Sequence, residues 1–180
     1  YSPDHYVNTK GRNDLVIHNG SKTKDAVGVI LEAKRPGNKA ETPTQDNLNV
    51  KAVQELLLYY LENRFGVDEK NPKENIELRR LVATNVFDWF VFDASDWETL
   101  FAKDKKLVRQ YWDFKGKRLV RDDTAFFYSE IAKPALEAAL PNLPYEHVRL
   151  KDFEAAARKP DSAEDQTLVD LYKQIGRAHV

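Results

Sequence analysis

The sequence contains no cysteine and no methionine, and it has few glycines and prolines, 7 and 8 in 180 residues. Without cysteine the protein has no disulfide framework, thiolate nucleophile or zinc–thiolate site, and a cytoplasmic location agrees with this lack. No apolar run approaches the about 20 residues of a membrane-spanning helix, so we expect no membrane partner. Charge is balanced, with 28 Lys and Arg against 29 Asp and Glu. An anionic partner therefore has to be bound by local patches.

Both ends of the chain lead us to expect a fragment of a longer protein. The chain begins at Tyr1 and contains no Met, unlike a complete translation product. Residues 175–180 resemble a translated sequencing adaptor, so we treat them as a non-native tail and leave them out of the fold argument, as with any tag. The length of the remainder predicts one domain.

The apolar pattern predicts an α/β fold, with a mixed β-sheet flanked by helices and a mainly helical C-terminal part. We place the sheet-containing core in residues 1–94, after a polar entry at residues 1–13. Residues 95–174 form either a mainly helical extension of the same domain or a linker. The predicted core elements are strands at 15–17, 26–34, 81–84 and 89–92 and an amphipathic helix at 48–65. The later elements are helices at 95–103, 105–114 and 122–140, a short apolar run at 145–150, and two polar helices through about residue 174.

Two opposite charges end the most apolar strand. Side chains alternate between the faces of a strand, so Glu32 and Lys34 project from the same side. Buried charges are costly unless they are paired, hydrated or bound to a metal. Asp14 stands just before the preceding strand, and a hairpin would bring its carboxylate beside Glu32. Two carboxylates and a lysine would then converge at one end of the sheet.

This set of residues is suited to metal-dependent phosphodiester hydrolysis. Oxygen ligands from Asp14 and Glu32 would hold Mg²⁺, and Lys34 would place positive charge where negative charge develops on the phosphate. The alternative is an ordinary ion pair at a strand end. An acid two residues before a lysine also occurs at Asp104-Lys105-Lys106 and in two other places, but none of these ends an apolar strand that follows an Asp-led one.

The amino-acid sequences of several segments resemble those of a known family. Asp14 with Glu32-Ala33-Lys34 resembles the Asp…(Asp/Glu)-x-Lys signature of the restriction-endonuclease-like, or PD-(D/E)xK, nuclease superfamily. Gln54 followed by Tyr59 is similar to a Gln-containing motif of that superfamily, although the spacing is one residue longer than its commonest form. Three segments resemble the N-terminal nuclease region of bacterial type IIG (IIS-like) restriction-modification enzymes, and the likeness continues at 87–89 and 126–128. These segments are residues 13–17, 31–38 and 49–56.

The resemblance implies a restriction-endonuclease-like fold, double-stranded DNA as substrate and Mg²⁺ as cofactor. It implies that Asp14, Glu32 and the carbonyl of Ala33 bind the metal, that Lys34 assists hydrolysis and that Gln54 belongs to the catalytic set. The family often has an additional acid before the first strand, and Asp4 is the only acid before Asp14 in this sequence. The family also implies methyltransferase and target-recognition domains in the same bacterial polypeptide. S-adenosylmethionine would bind in that downstream region, and dimerisation on DNA stays open.

Other readings of the same residues remain open. Basic side chains near the predicted site would clamp the DNA backbone or are ordinary surface charge. Eight aromatic residues could suggest base stacking but are expected to pack in the core. They are Trp89, Phe90, Phe92, Trp97, Phe101, Trp112, Phe126 and Phe127. The alternatives to a restriction nuclease are an idle module that docks DNA or the methyltransferase, and a repair or recombination nuclease without a methylase partner. The basic residues in question are Lys10, Arg12, Arg35 and Lys39.

Overall fold

The computed structural model describes residues 4–10 and 13–151. They form six β-strands and a set of helices, two of which contain π-helical turns. The strands are β1 (Val7–Lys10), β2 (Asn13–His18), β3 (Val27–Ala33), β4 (Arg80–Thr84), β5 (Asp88–Asp93) and β6 (Glu146–Arg149). The helices are α1 (Lys51–Phe65), α2 (Ala94–Trp97, π-helical over Glu98–Ala102), α3 (Lys105–Lys115), α4 (Thr124–Phe126, π-helical over Phe127–Ala132) and α5 (Lys133–Ala139, with a 3₁₀ turn at Leu140–Asn142).

The strands form one mixed sheet in the order β1-β2-β3-β4-β5-β6. Neighbouring strands are antiparallel except β3 and β4, which are parallel. A parallel pair needs a crossover, and α1 provides it. The predicted class, a mixed α/β sheet flanked by helices, is confirmed. Among the described residues, no helix has the length and apolarity needed to cross a membrane.

The sheet packs its main core on one face. Ile30, Ala83 and Phe90 belong to the large buried cluster that includes α1 and the later helices. Val29 and Val82 point to the opposite face and join a small cluster there, as the two-residue period of a strand requires. The helical part after residue 94 thus contributes to the same core as the sheet.

The central helix is more deeply buried than an amphipathic surface helix. In α1 an unbroken run of buried residues extends from Glu55 to Leu61, because the sheet covers one side and the α4 segment covers another. A helix that is apolar on nearly all sides is typical of the interior of a layered fold. The predicted helix began at residue 48, whereas α1 begins at Lys51 after Val50 as N-cap.

The two edge strands were not predicted. β1 lies in the segment that the sequence suggests to be a polar entry, and β6 lies within the short run at 145–150. Each has four residues with few apolar side chains, so pairing with β2 or β5 rather than intrinsic pattern stabilises it. The predicted helices after residue 151 and the tail at 175–180 lie outside the described residues.

Candidate active site

Asp14 lies opposite Glu32 across the β2–β3 pair. Leu15 pairs with Leu31 in the antiparallel register, which brings the preceding residue of β2 level with the following residue of β3. The Asp14 carboxylate accepts a hydrogen bond from the backbone N–H of Ala33, through Oδ2 at 2.8 Å. The exposed Asp14 side chain is therefore held at the carboxyl end of β3, as the hairpin argument expects.

Lys34 lies between two carboxylates at the same end of β3. Its Nζ donates a hydrogen bond to Glu32 Oε1 at 2.6 Å and another to Glu55 Oε2, from the second turn of α1. Solvent reaches 12% of the Lys34 side chain, 4% of Glu32 and 11% of Glu55. The backbone is fixed as well, since Lys34 N–H donates to the carbonyl of Thr84 in β4 at 2.8 Å. Three ionisable groups thus share one nearly dry site.

Burial and crowding change the proton affinities of this cluster. Loss of solvation raises the pKa of Glu32 to about 8; the hydrogen bond from Lys34 opposes this and the Glu55 carboxylate adds to it. Burial by itself lowers the pKa of Lys34, but its hydrogen bonds to both carboxylates outweigh burial and raise this pKa above its usual value. At neutral pH the site therefore has a charged Lys34 and a mostly protonated Glu32. A cation bound beside Glu32 would lower its pKa again.

Glu55 was missed by the sequence reasoning, although a signal for it exists. Glu55 is 8% exposed and stands within an apolar helical run, where a charge requires a partner. Tyr59 follows four residues later, which places the two side chains on one face of α1. Burial raises the pKa of Tyr59, and the nearby charges of Glu32, Glu55 and Asp14 contribute. The i, i+4 pair of Glu55 and Tyr59 is thus directed to the site.

Gln54 lies beside Glu55 in sequence but has other partners. Its Nε2 donates a hydrogen bond to Asn49 Oδ1 at 3.1 Å, and Asn49 Nδ2 donates to the carbonyl of Lys133 at 2.9 Å. Within the part of the chain that the structure describes, Gln54 forms no hydrogen bond with Asp14, Glu32 or Lys34. Its geometry fastens the start of α1 to α5, and a catalytic part for it stays a prediction.

Three of the four predicted basic residues lie in the described part of the chain. Arg35 directly follows Lys34, and Lys39 lies four residues beyond Arg35; both are exposed. Lys10 is the last residue of β1, and Arg12 lies outside the described residues. Arg35 and Lys39 form no ion pair with any described residue, so both are available to a phosphate backbone.

The residues present suit a magnesium ion that keeps much of its water. Glu32 Oε2 is buried and has no hydrogen-bond partner, and Asp14 uses only Oδ2 in its bond to Ala33. Mg²⁺ commonly takes one or two carboxylates from a protein and retains several waters. Among residues 4–10 and 13–151, no group of three or more His, Cys, Asp or Glu has a metal-binding arrangement. The candidate metal site thus depends on two carboxylates, and a part for the carbonyl of Ala33 stays a prediction.

Comparison with known proteins places the chain in a family. The family model described as "Domain of unknown function (DUF7149)" matches residues 1–180, the whole chain. No curated protein and no solved structure gives a significant match.

Proposed function

The chain belongs to the DUF7149 family, and from the geometry of its site we propose that it is a Mg²⁺-dependent endonuclease domain that hydrolyses DNA phosphodiester bonds. The observation that carries the proposal is the meeting of Asp14, Glu32 and Lys34 at one end of β3. Glu32 and Lys34 touch at 2.6 Å, and Asp14 is bonded to the residue between them at 2.8 Å.

The charges of the site suit an anionic substrate once Glu32 is ionised and bound to a cation. Bound Mg²⁺ would supply a water of lowered pKa and would neutralise charge on the phosphate. Lys34 then presents its ammonium to the same phosphate, where negative charge grows as the water oxygen bonds to phosphorus. The attacking water gives up a proton, a P–O ester bond breaks, and the leaving oxygen takes up a proton. Arg35 and Lys39 contact neighbouring phosphates of the DNA backbone.

Glu55 acts through Lys34 and is a positioning residue. Its carboxylate and that of Glu32 hold Nζ from two sides, which restricts a long, flexible side chain to one place. Preorganised charge stabilises a transition state more effectively than charge that must first be oriented. Glu55 also keeps Lys34 protonated, because its hydrogen bond raises the pKa of the ammonium.

The wider setting of the proposal comes from the sequence resemblance. The six-stranded mixed sheet agrees with a restriction-endonuclease-like core, in which Asp14 and Glu32 lie on adjacent strands. We propose that this domain is the cleavage module of a type IIG restriction-modification polypeptide in the bacterial cytoplasm, with methyltransferase and target-recognition domains as partners. S-adenosylmethionine would then bind elsewhere in that polypeptide.

A second candidate is an idle module of the same fold that docks DNA or the methyltransferase. The observation that favours it is that Lys34 Nζ already donates hydrogen bonds to Glu32 and to Glu55. This leaves one N–H for a phosphate unless a metal ion draws Glu32 away. The two candidates differ in whether Mg²⁺ produces cleavage.

Plasmid cleavage separates these candidates. The protein is incubated with plasmid in Mg²⁺, Ca²⁺ or EDTA, as wild type and as Asp14→Ala, Glu32→Ala and Lys34→Ala. We expect cutting by wild type in Mg²⁺ alone and its loss in all three variants. Lys106→Ala is the matched control, because Lys106 is an exposed lysine in the similar Asp104-Lys105-Lys106 sequence. Undiminished cutting by the three site variants refutes the site, and DNA binding without cutting favours the idle module.

A further inference from the structure

The β4–β5 hairpin presents an apolar tip that the proposed chemistry does not use. Val86 and Phe87 lie in its turn and are 51% and 45% exposed. Val86 has a φ of 79°, a left-handed conformation that is an outlier for a β-branched residue. Strain of this kind persists only where the surroundings impose it, and it is common at functional sites.

Hydrogen bonds on both sides hold this turn in one shape. Val86 N–H donates to Thr84 Oγ1 at 2.9 Å, and Phe87 N–H donates to Asn85 Oδ1 at 3.0 Å. Trp89 Nε1 donates to the Val86 carbonyl at 2.8 Å. These hydrogen bonds fix the backbone of the turn, so Val86 and Phe87 project from a fixed position.

The tip lies at the same end of the sheet as the candidate active site. Thr84, which precedes the turn, accepts the backbone hydrogen bond of Lys34 at 2.8 Å. On the face that carries Glu32, the register continues through Ala83 and Phe90 to His147. Three strand spacings separate Glu32 from His147, about 14 Å. Duplex DNA covers this distance in about four base steps.

A cleft of about 830 Å³ lies at the Phe90 and His147 end of this row, with Phe87 in its wall. Lys39, Arg149 and Lys151 line it together with Asp46 and Asp88. The negative charge of Asp88 is already engaged, by His147 at 2.9 Å and by Arg149 at 3.7 Å. The same contact engages Arg149, which leaves Lys39 and Lys151 against one further acid, Asp46. The cleft therefore has a small excess of positive charge, as a phosphate backbone requires.

We propose that this hairpin is a DNA wedge, in which Phe87 inserts against the bases next to the scissile phosphodiester while Lys39 and Lys151 hold the flanking phosphates in the cleft. Apolar side chains that enter a base step partly unstack it and kink the duplex. The wedge would fix which phosphodiester reaches Asp14 and Glu32. The role of the kink in cleavage rests on the proposed function. Contact between Phe87 and DNA does not, because it can be measured without cleavage.

The wedge is tested with a labelled DNA duplex that carries 2-aminopurine, in Ca²⁺ so that cleavage does not interfere. We expect binding to raise the 2-aminopurine fluorescence as the base unstacks. Phe87→Ala should abolish this rise and weaken binding roughly 5- to 100-fold, the range for a lost base-stacking contact. Phe87→Trp, which restores a large ring, should recover both signals.

Ile76→Ala is the matched control, because Ile76 is 75% exposed but precedes β4, at the opposite end of the sheet. It should bind DNA like wild type. The wedge is overturned by wild-type protein that does not bind duplex DNA, by Phe87→Ala protein that binds and unstacks as wild type does, or by equal weakening in Ile76→Ala. Phe87-dependent binding without any cutting in Mg²⁺ supports the wedge and overturns the nuclease. Mg²⁺-dependent cutting with binding that does not depend on Phe87 supports the nuclease and overturns the wedge.

Discussion

Replacing Glu32 by glutamine should change how the stability of the protein depends on pH. Glu32 is 4% exposed and its Oε1 accepts a hydrogen bond from Lys34. Glutamine has nearly the shape of a protonated glutamic acid and offers the same oxygen, while Glu55 still pairs with Lys34. Glu32→Gln therefore imitates the protonated site and removes one titration from the folded protein.

The magnitude follows from the raised pKa of Glu32. Its ordinary pKa is 4.5, and its pKa in the folded protein is about 8. Between these values the folded state holds a proton that the unfolded state has released, so stability falls as pH rises. The fall is about 1.4 kcal/mol per pH unit, or about 2 kcal/mol between about pH 6 and about pH 8. The stabilising effect is complete below pH 4.5 and lost above about pH 8.

Urea unfolding in the absence of divalent metal measures this effect. We expect the free energy of unfolding of wild type, relative to Glu32→Gln, to decrease by about 2 kcal/mol between these pH values. Glu130→Gln, at an exposed carboxyl, should keep the wild-type pH dependence. Equal pH dependence of wild type and Glu32→Gln would refute a protonated, desolvated Glu32.

Three further changes test the positioning residue, the metal and the fold. Glu55→Ala should lower Mg²⁺-dependent DNA cleavage by about 10- to 100-fold and shift its pH profile, whereas Glu130→Ala, at an exposed carboxyl, should cut at the wild-type rate; equal effects would contradict the assignment to Glu55. Titration calorimetry in two buffers at neutral pH should detect about one proton released as Mg²⁺ binds, and no proton release would contradict metal binding at Glu32. Gly66→Ala should destabilise the protein by more than about 1 kcal/mol in thermal unfolding, because Gly66 has a φ of 83° and an added Cβ would lie 2.8 Å from a backbone nitrogen. Gly37→Ala is its control, since nothing lies within 4 Å of that Cβ, and equal losses would contradict the backbone argument.

Much of the secondary structure follows from local pattern. β3 and α1 were predicted because a continuous apolar run bounded by Pro36 and a helical apolar period ending at Gly66 each have one natural interpretation. The edge strands β1 and β6 were not, since polar four-residue segments become strands only when a neighbour offers its hydrogen-bonding edge. Whether such a segment forms a strand depends on its pairing partner rather than on its own sequence.

The candidate site was likewise predictable from the sequence in part only. Alternation along β3 determined by itself that Glu32 and Lys34 share a side, and the Asp-led strand before it indicated Asp14 as their neighbour. Only the tertiary structure showed that Glu55 bonds to Lys34 whereas Gln54 bonds to Asn49. Consecutive helical residues point about 100° apart, so one of the two faces β3 and the other does not. Because α1 is apolar on nearly all sides, its own pattern does not fix its rotation; the packing of the sheet on one side and of the later helices on another does.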